Sequence, residues 1–128
     1  MKTKIAINGF GRIGRNLFRL LLNHPTIEVV AINDIADAKT MAHLLKYDSI
    51  HGVLPNVIKS DEEHIFVDEK AFLYLREKNI KNLNWNELQI DIVIEATGKF
   101  KTWDSVHEHI AAGAKKVILS APPVDERI

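Results

Sequence analysis

Cysteine is absent from this 128-residue chain. With no thiol, the chain contains no disulfide, no thiolate metal site and no cysteine nucleophile. A charge excess is missing as well: Lys and Arg total 17, and Asp and Glu total 17. General polyanion binders carry a basic surplus, so a nucleic-acid partner has no support, although one anion held at one site is compatible with this balance. No apolar run approaches the ~18 residues of a membrane span. The start, Met1-Lys2-Thr3-Lys4-Ile5, is strand-like at once and has no signal-peptide h-region. The default expectation is a cytoplasmic protein without a membrane partner. Internal repeats, low-complexity tracts and a second domain are not seen. What is present is 46% hydrophobic and 27% charged residues, the balance of one soluble domain long enough to bury a core.

Short apolar runs alternate with helical patterns along the chain. Lys4 to Asn8 reads as a buried strand ending at glycine. Ile13, Leu17, Leu20 and Leu21 recur at helical spacing, and Asn23-His24-Pro25 stops that helix. Ile27 to Ile32 is a second buried strand, closed by Asn33-Asp34. Asp37 caps a helix whose inner face carries Met41, Ala42, Leu44 and Leu45. Tyr47 to Pro55 reads as loop. His64–Val67 and Ala71–Tyr74 suit a strand pair turning at Asp68-Glu69. Asp91 to Glu95 is a further buried strand. Thr102 caps a helix carrying Val106, Ile110 and Ala111, with Gly113 just past its end, and Lys116 to Leu119 is the next strand. Strands alternating with helices imply βαβ units. The expected fold is α/β, a Rossmann-type doubly wound, mainly parallel sheet spanning 1–128.

Gly9-Phe10-Gly11-Arg12-Ile13-Gly14 carries the chemistry. A lone G-x-G-x-x-G is weak. This one follows a strand, opens a helix, and has Asp34 twenty positions after Gly14, at the end of the next strand. Gly9 permits the tight turn, Gly11 lets backbone approach a pyrophosphate, and Gly14 lets the helix pack closely on the sheet. The helix N-terminus then holds the phosphates, with Arg12 adding charge. Asp34 would accept from the adenosine ribose hydroxyls and repel a 2′-phosphate, which selects NAD over NADP. Flavin and S-adenosylmethionine sites use related turns, which composition does not reject. Thr97-Gly98 and Ser120 end later strands and are placed to face the cofactor, while ordinary turn chemistry is an equal reading of Ser120. Phe100 suits either adenine stacking or packing.

Together these segments resemble the N-terminal half of phosphorylating glyceraldehyde-3-phosphate dehydrogenase. The resemblance rests on Asn8-Gly9-Phe10-Gly11-Arg12-Ile13-Gly14-Arg15, Asn33-Asp34, Met41 to Gly52, Glu95 to Phe100, and Ala112 to Pro122, in order and across essentially the whole chain. It implies cofactor contacts at Gly9, Arg12, Ile13, Asp34, Lys78, Thr97, Gly98, Phe100 and Ser120, with Asn8, Gly11, Gly14 and Asn33 completing the site. Glu77-Lys78-Asn79-Ile80 departs from the family pattern at its last two positions. In that family a cysteine attacks the aldehyde of glyceraldehyde 3-phosphate, hydride passes to NAD, and phosphate releases 1,3-bisphosphoglycerate, a step of glycolysis. The full-length family is homotetrameric.

That cysteine, the histidine base and the phosphate-binding residues fall beyond Ile128 in the family, so 1–128 has no catalytic residue and meets the triose phosphate only with a second, catalytic half. The expectation is a truncated product, inert alone, with an exposed sheet edge favouring association. His107 and His109, at i,i+2 on a helix, point apart and make no metal pair. They, His24, His43, His51 and His64 read as surface or packing residues. Two other readings stand beside this one. The first is the same half of an erythrose-4-phosphate dehydrogenase. The second is a free-standing NAD-binding module without catalysis.

Overall fold

The computed structural model describes residues 2–48, 52–99 and 102–120. Among these residues nine strands and three α-helices follow one another: β1 (Thr3–Asn8), α1 (Arg12–Leu21), β2 (Ile27–Asn33), α2 (Ala38–Lys46), β3 (Tyr47–Asp48), β4 (Gly52–Val53), β5 (Ile58–Ser60), β6 (His64–Val67), β7 (Lys70–Leu75), β8 (Ile92–Glu95), α3 (Trp103–Ala111) and β9 (Lys116–Leu119). A 3-10 turn, Ile80–Asn82, lies between β7 and β8.

Seven strands make one sheet in the order β5-β6-β7-β2-β1-β8-β9. The five from β7 to β9 pair parallel, and β5 and β6 join antiparallel at one edge. From β1 the chain first builds toward β2 and β7, then returns to lay β8 and β9 on the other side. The direction reverses between β1 and β8. In a doubly wound sheet the loops diverge there at the carboxyl ends and leave a crevice.

The apolar residues of the parallel strands divide between two faces. Ile5, Ile7, Val29, Ile32, Phe72 and Tyr74 pack with α1 and α2 residues on one. Ala6, Ala31 and Val93 pack with Ile80, Leu83, Trp85, Ile90 and Ala114 on the other. Phe18 links α1 to the first core, meeting Phe10 and Phe72 edge-on at centroid distances of 5.6 and 4.8 Å. Burying such a ring contributes roughly 1.5–3 kcal/mol.

Three expectations need correction. The buried stripe of α1 runs through Gly14 and Phe18, and Ile13 and Leu20 are 55% and 79% exposed. A helical period alone does not separate two stripes one residue apart around the axis. In α3 the buried residue is His109, and Ala111 is exposed. Within Tyr47 to Pro55, β3 and β4 form an antiparallel ladder in place of a continuous loop. The other helix expectations agree with the structure. Asp37 caps α2 by accepting from the Thr40 N–H at 2.7 Å. Thr102 and Ser105 make a reciprocal capping box on α3, and Gly113 follows that helix at φ +120°. The β6–β7 pair turns at Asp68-Glu69, as the alternation predicts.

Candidate functional site

Four parallel strands deliver their carboxyl ends to one crevice of about 440 Å³. Asn8, Gly9 and Gly11 come from the end of β1, Asn33, Asp34 and Ile35 from β2, Glu77 and Lys78 from β7, and Ala96, Thr97 and Lys99 from β8. A wider groove of about 870 Å³ lies between the start of α2 and the β5–β6 edge. Its rim is mostly exposed charged side chains, and it does not sit at the reversal of strand order, so the crevice is the stronger site candidate.

The glycine turn is shaped by contacts that no side chain could share. Gly9 has φ +99°, and a Cβ there would lie 2.6 Å from the Thr97 nitrogen. A Cβ on Gly14 would collide with the Gly9 carbonyl oxygen. The two glycines therefore bring β1, α1 and the end of β8 into direct backbone contact. A Cβ on Gly11 would meet no protein atom, because that position faces open space. Gly11 is also the N-cap of α1, and no side chain caps the helix. Its first turn holds no acidic residue. An uncapped N-terminus aimed at a crevice attracts an anion.

Asp34 lies at the same turn. One carboxylate oxygen accepts from the Phe10 N–H at 2.7 Å, the other from the Ala36 N–H at 3.0 Å. These two bonds fix the carboxylate at the crevice wall. Its charge faces any group bound beside the turn.

Beneath the crevice lies a buried polar network whose orientations follow from its two ends. The Glu77 backbone N–H donates to Asn33 Oδ1 at 2.9 Å, and Asn33 Nδ2 donates to the Glu77 carbonyl at 2.9 Å. The Asn33 amide thus pairs with Glu77 as a neighbouring strand would. Because a backbone N–H only donates, the Asn33 amide cannot be reversed. Asn33 Nδ2 also donates to Asn8 Oδ1 at 2.7 Å, which turns Asn8 Nδ2 toward Glu95 Oε1 at 2.6 Å. At the other end, the Trp85 indole N–H donates to His109 Nδ1 at 3.0 Å. An indole only donates, so Nδ1 accepts and the ring proton sits on Nε2, 2.8 Å from Glu95 Oε1. This contact is a hydrogen bond from a neutral imidazole and not an ion pair. The Thr97 N–H and hydroxyl both donate to Glu95 Oε2, at 3.1 and 2.6 Å. The carboxylate of Glu95, a residue 2% exposed, therefore receives four donors among the described residues.

The sequence-predicted residues divide accordingly. Gly9, Gly11, Asp34, Lys78 and Thr97 line the crevice with Asn8 and Asn33, whose amides are committed to the network. The Thr97 hydroxyl donates to Glu95 and accepts from the Lys99 N–H, so Thr97 shapes its loop. Arg12 and Ile13 stand exposed at the head of α1, and Gly14 is buried behind the turn. Gly98 has φ +73° beside Thr97. Ser120 Oγ donates to the Glu95 carbonyl at 3.1 Å. Phe100 and His51 lie outside the described residues. His107 meets Trp103 at the surface in a tilted ring contact, with centroids 4.5 Å apart, while His109 is buried, so the two do point apart. Ile35, Glu77, Ala96 and Lys99 also line the crevice; Ala96, Lys99 and Glu77 lie in segments compared with the family pattern without being singled out, and Ile35 lies in none. From sequence, Glu95 reads as the close of an apolar strand and the start of a family-like segment, and His109 as a surface or packing residue, so neither is marked as part of the site.

Comparison with known proteins agrees with this geometry. Residues 3–103 match the family described as glyceraldehyde 3-phosphate dehydrogenase, NAD binding domain. The chain is 50% identical over its whole length to glyceraldehyde-3-phosphate dehydrogenase of Geobacillus stearothermophilus, and 51% identical to glyceraldehyde-3-phosphate dehydrogenase 2 of Bacillus subtilis. Over 98% of its length it is 47% identical to the Mycoplasma pneumoniae enzyme of that name. It spans 37–38% of the length of these relatives. With its doubly wound sheet and the glycine turn at the reversal of strand order, the chain belongs to the family of glyceraldehyde-3-phosphate dehydrogenase NAD-binding domains.

Proposed function

We propose that residues 1–128 form the dinucleotide-holding domain of an NAD-dependent glyceraldehyde-3-phosphate dehydrogenase. The observation that carries this reading is the pairing of two features at one turn. The uncapped head of α1, with the open Gly11 position, suits a pyrophosphate. Asp34, pinned by Phe10 and Ala36, suits the adenosine ribose hydroxyls and opposes a 2′-phosphate. Gly9, Gly11, Arg12 and Ile13 would hold the phosphates at the turn that Asn8 and Gly14 shape, Asp34, Lys78 and Phe100 would serve the adenosine side with Asn33 behind them, and Thr97, Gly98 and Ser120 the other side.

Bound NAD supplies a hydride acceptor. The chain binds and orients it but holds no thiol to attack an aldehyde. The triose phosphate is therefore the substrate of the whole enzyme, with a nucleophile from outside residues 1–128. A homotetramer in the cytoplasm accompanies this reading. Among the described residues no helix is long and apolar enough to cross a membrane.

Calorimetric titration with NAD, ADP-ribose and NADP tests the proposal. NAD and ADP-ribose should bind, and NADP at least tenfold more weakly. Equal affinity for NADP would remove the role of Asp34, and no binding of any of the three would remove the cofactor reading. Turnover by the intact enzyme of glyceraldehyde 3-phosphate against erythrose 4-phosphate assigns the aldehyde.

A further inference from the structure

His109 is fully buried on α3 and does not line the crevice. Its Nε2–H nevertheless donates to Glu95, the acceptor on which Asn8 Nδ2, the Thr97 N–H and the Thr97 hydroxyl converge. Asn8 and Thr97 line the crevice at the ends of β1 and β8. We propose that His109 is a positioning residue for the dinucleotide crevice, acting through Glu95 to fix Asn8 and Thr97. This rests on the reading of the crevice as a dinucleotide site.

Three properties of the arrangement carry the inference. First, the ring has a defined job at each nitrogen: Trp85 occupies Nδ1, which leaves the only ring proton on the Glu95 side. Second, among the described residues the other donors to the Glu95 carboxylate all come from crevice residues, so His109 is that carboxylate's one anchor outside the crevice. Third, Asn8 passes the constraint on to Asn33, and Asn33 holds the backbone of Glu77 beside Lys78. One donor from α3 thereby restrains all four strand ends around the crevice. Without it, Glu95 Oε1 keeps only Asn8, and the carboxylate is free to turn within its buried site.

Three variants of the intact protein separate positioning from mere packing. His109→Phe keeps most of the ring volume and removes the donor. His109→Gln restores an N–H at about the reach of Nε2. Trp85→Phe disturbs the same buried cluster but leaves Nε2–H on Glu95, because a bare Nε2 would set a lone pair against the carboxylate. NAD affinity by calorimetry, melting temperature, and hydrogen exchange in the peptide carrying Thr97 are measured for each. His109→Phe should weaken NAD roughly tenfold or more, the size of one hydrogen bond to a charged group, and should speed exchange at Thr97. His109→Gln should bind within about twofold of the parent, on the same reasoning. Trp85→Phe should lower the melting temperature while affinity and Thr97 exchange stay near the parent's. Affinity that follows melting temperature across all three variants, regardless of the donor, would overturn the proposal. So would unchanged Thr97 exchange in His109→Phe. If Thr97 exchange responds as expected but the parent protein binds no dinucleotide, the crevice reading fails and the positioning of Thr97 stands.

Discussion

Strand β8 carries an acidic residue at each end, and the two are handled in opposite ways. Asp91 precedes the strand at the amino edge of the sheet, with its side chain 28% exposed. It accepts from the Lys4 N–H at 2.9 Å and meets Lys115 Nζ at 3.0 Å, which is 77% exposed. Glu95 closes the strand at the carboxyl edge, its side chain 1% exposed. Among the described residues its carboxylate accepts from four donors of Asn8, His109 and Thr97, none of them a lysine or arginine. Water supports the first carboxylate whatever its neighbours do. The second depends wholly on protein donors, because an unsatisfied buried charge costs several kcal/mol. The edge that meets solvent is closed by an interchangeable ion pair. The edge that builds the crevice is closed by a network in which each member defines the next.

The sharpest way to break this contrast is Glu95→Ala. It orphans the Asn8 amide, the His109 N–H and both Thr97 donors, and should cost about 3–5 kcal/mol in chemical denaturation. Gly9→Ala comes next: a Cβ at φ +99° against the Thr97 backbone should cost about 2–3 kcal/mol and abolish dinucleotide binding in the same titration. Asp34→Asn should leave the fold intact and narrow the NAD over NADP preference by about tenfold, the equivalent of 1.4 kcal/mol, read by calorimetry. At the opposite edge, Asp91→Asn should shift the melting temperature only slightly, and less still in high salt.

Acid sharpens the same comparison. Backbone donors hold four solvent-accessible carboxyls below the usual carboxylate range: Lys4 N–H for Asp91, Thr40 N–H for Asp37, Glu63 N–H for Asp61 and Val57 N–H for Asp68. A lowered folded value means the stabilisation is complete above the unfolded value of about 3.9 and is lost as pH falls through the folded one. A denaturation series between roughly pH 5 and 2 should show stability declining over that window. Asp91→Asn should flatten only its own share of the slope.

Much of the fold and part of the crevice are legible from residue order alone. The glycine turn and Asp34 are readable because backbone contact with a phosphate and recognition of a ribose demand particular residue types at a fixed spacing. Strands β1, β2 and β8 are readable because burial on both faces leaves continuous apolar runs. The stripe of α1 is not, since Leu17 and Leu21 fit either Ile13 or Phe18 as a neighbour. The network is harder still. Asn33 and Glu77 are 44 positions apart, and Trp85 and His109 are 24 apart. No local pattern marks such pairs. A histidine at an inner helical position is compatible with simple packing until the indole N–H behind it shows where its proton must be.

Asn8-Gly9 is the dipeptide in which asparagine deamidates most readily, because an unhindered glycine nitrogen attacks the side-chain amide. Here both reacting groups are occupied. The Asn8 amide is tied to Glu95 and Asn33, and the Gly9 N–H donates to the Asn33 carbonyl at 2.7 Å. The fold thus protects its own most age-sensitive bond. Each excursion to the unfolded state exposes that bond, and a single conversion of Asn8 to aspartate would set a second carboxylate against Glu95. For this protein, chemical ageing and loss of the native fold feed each other through one residue.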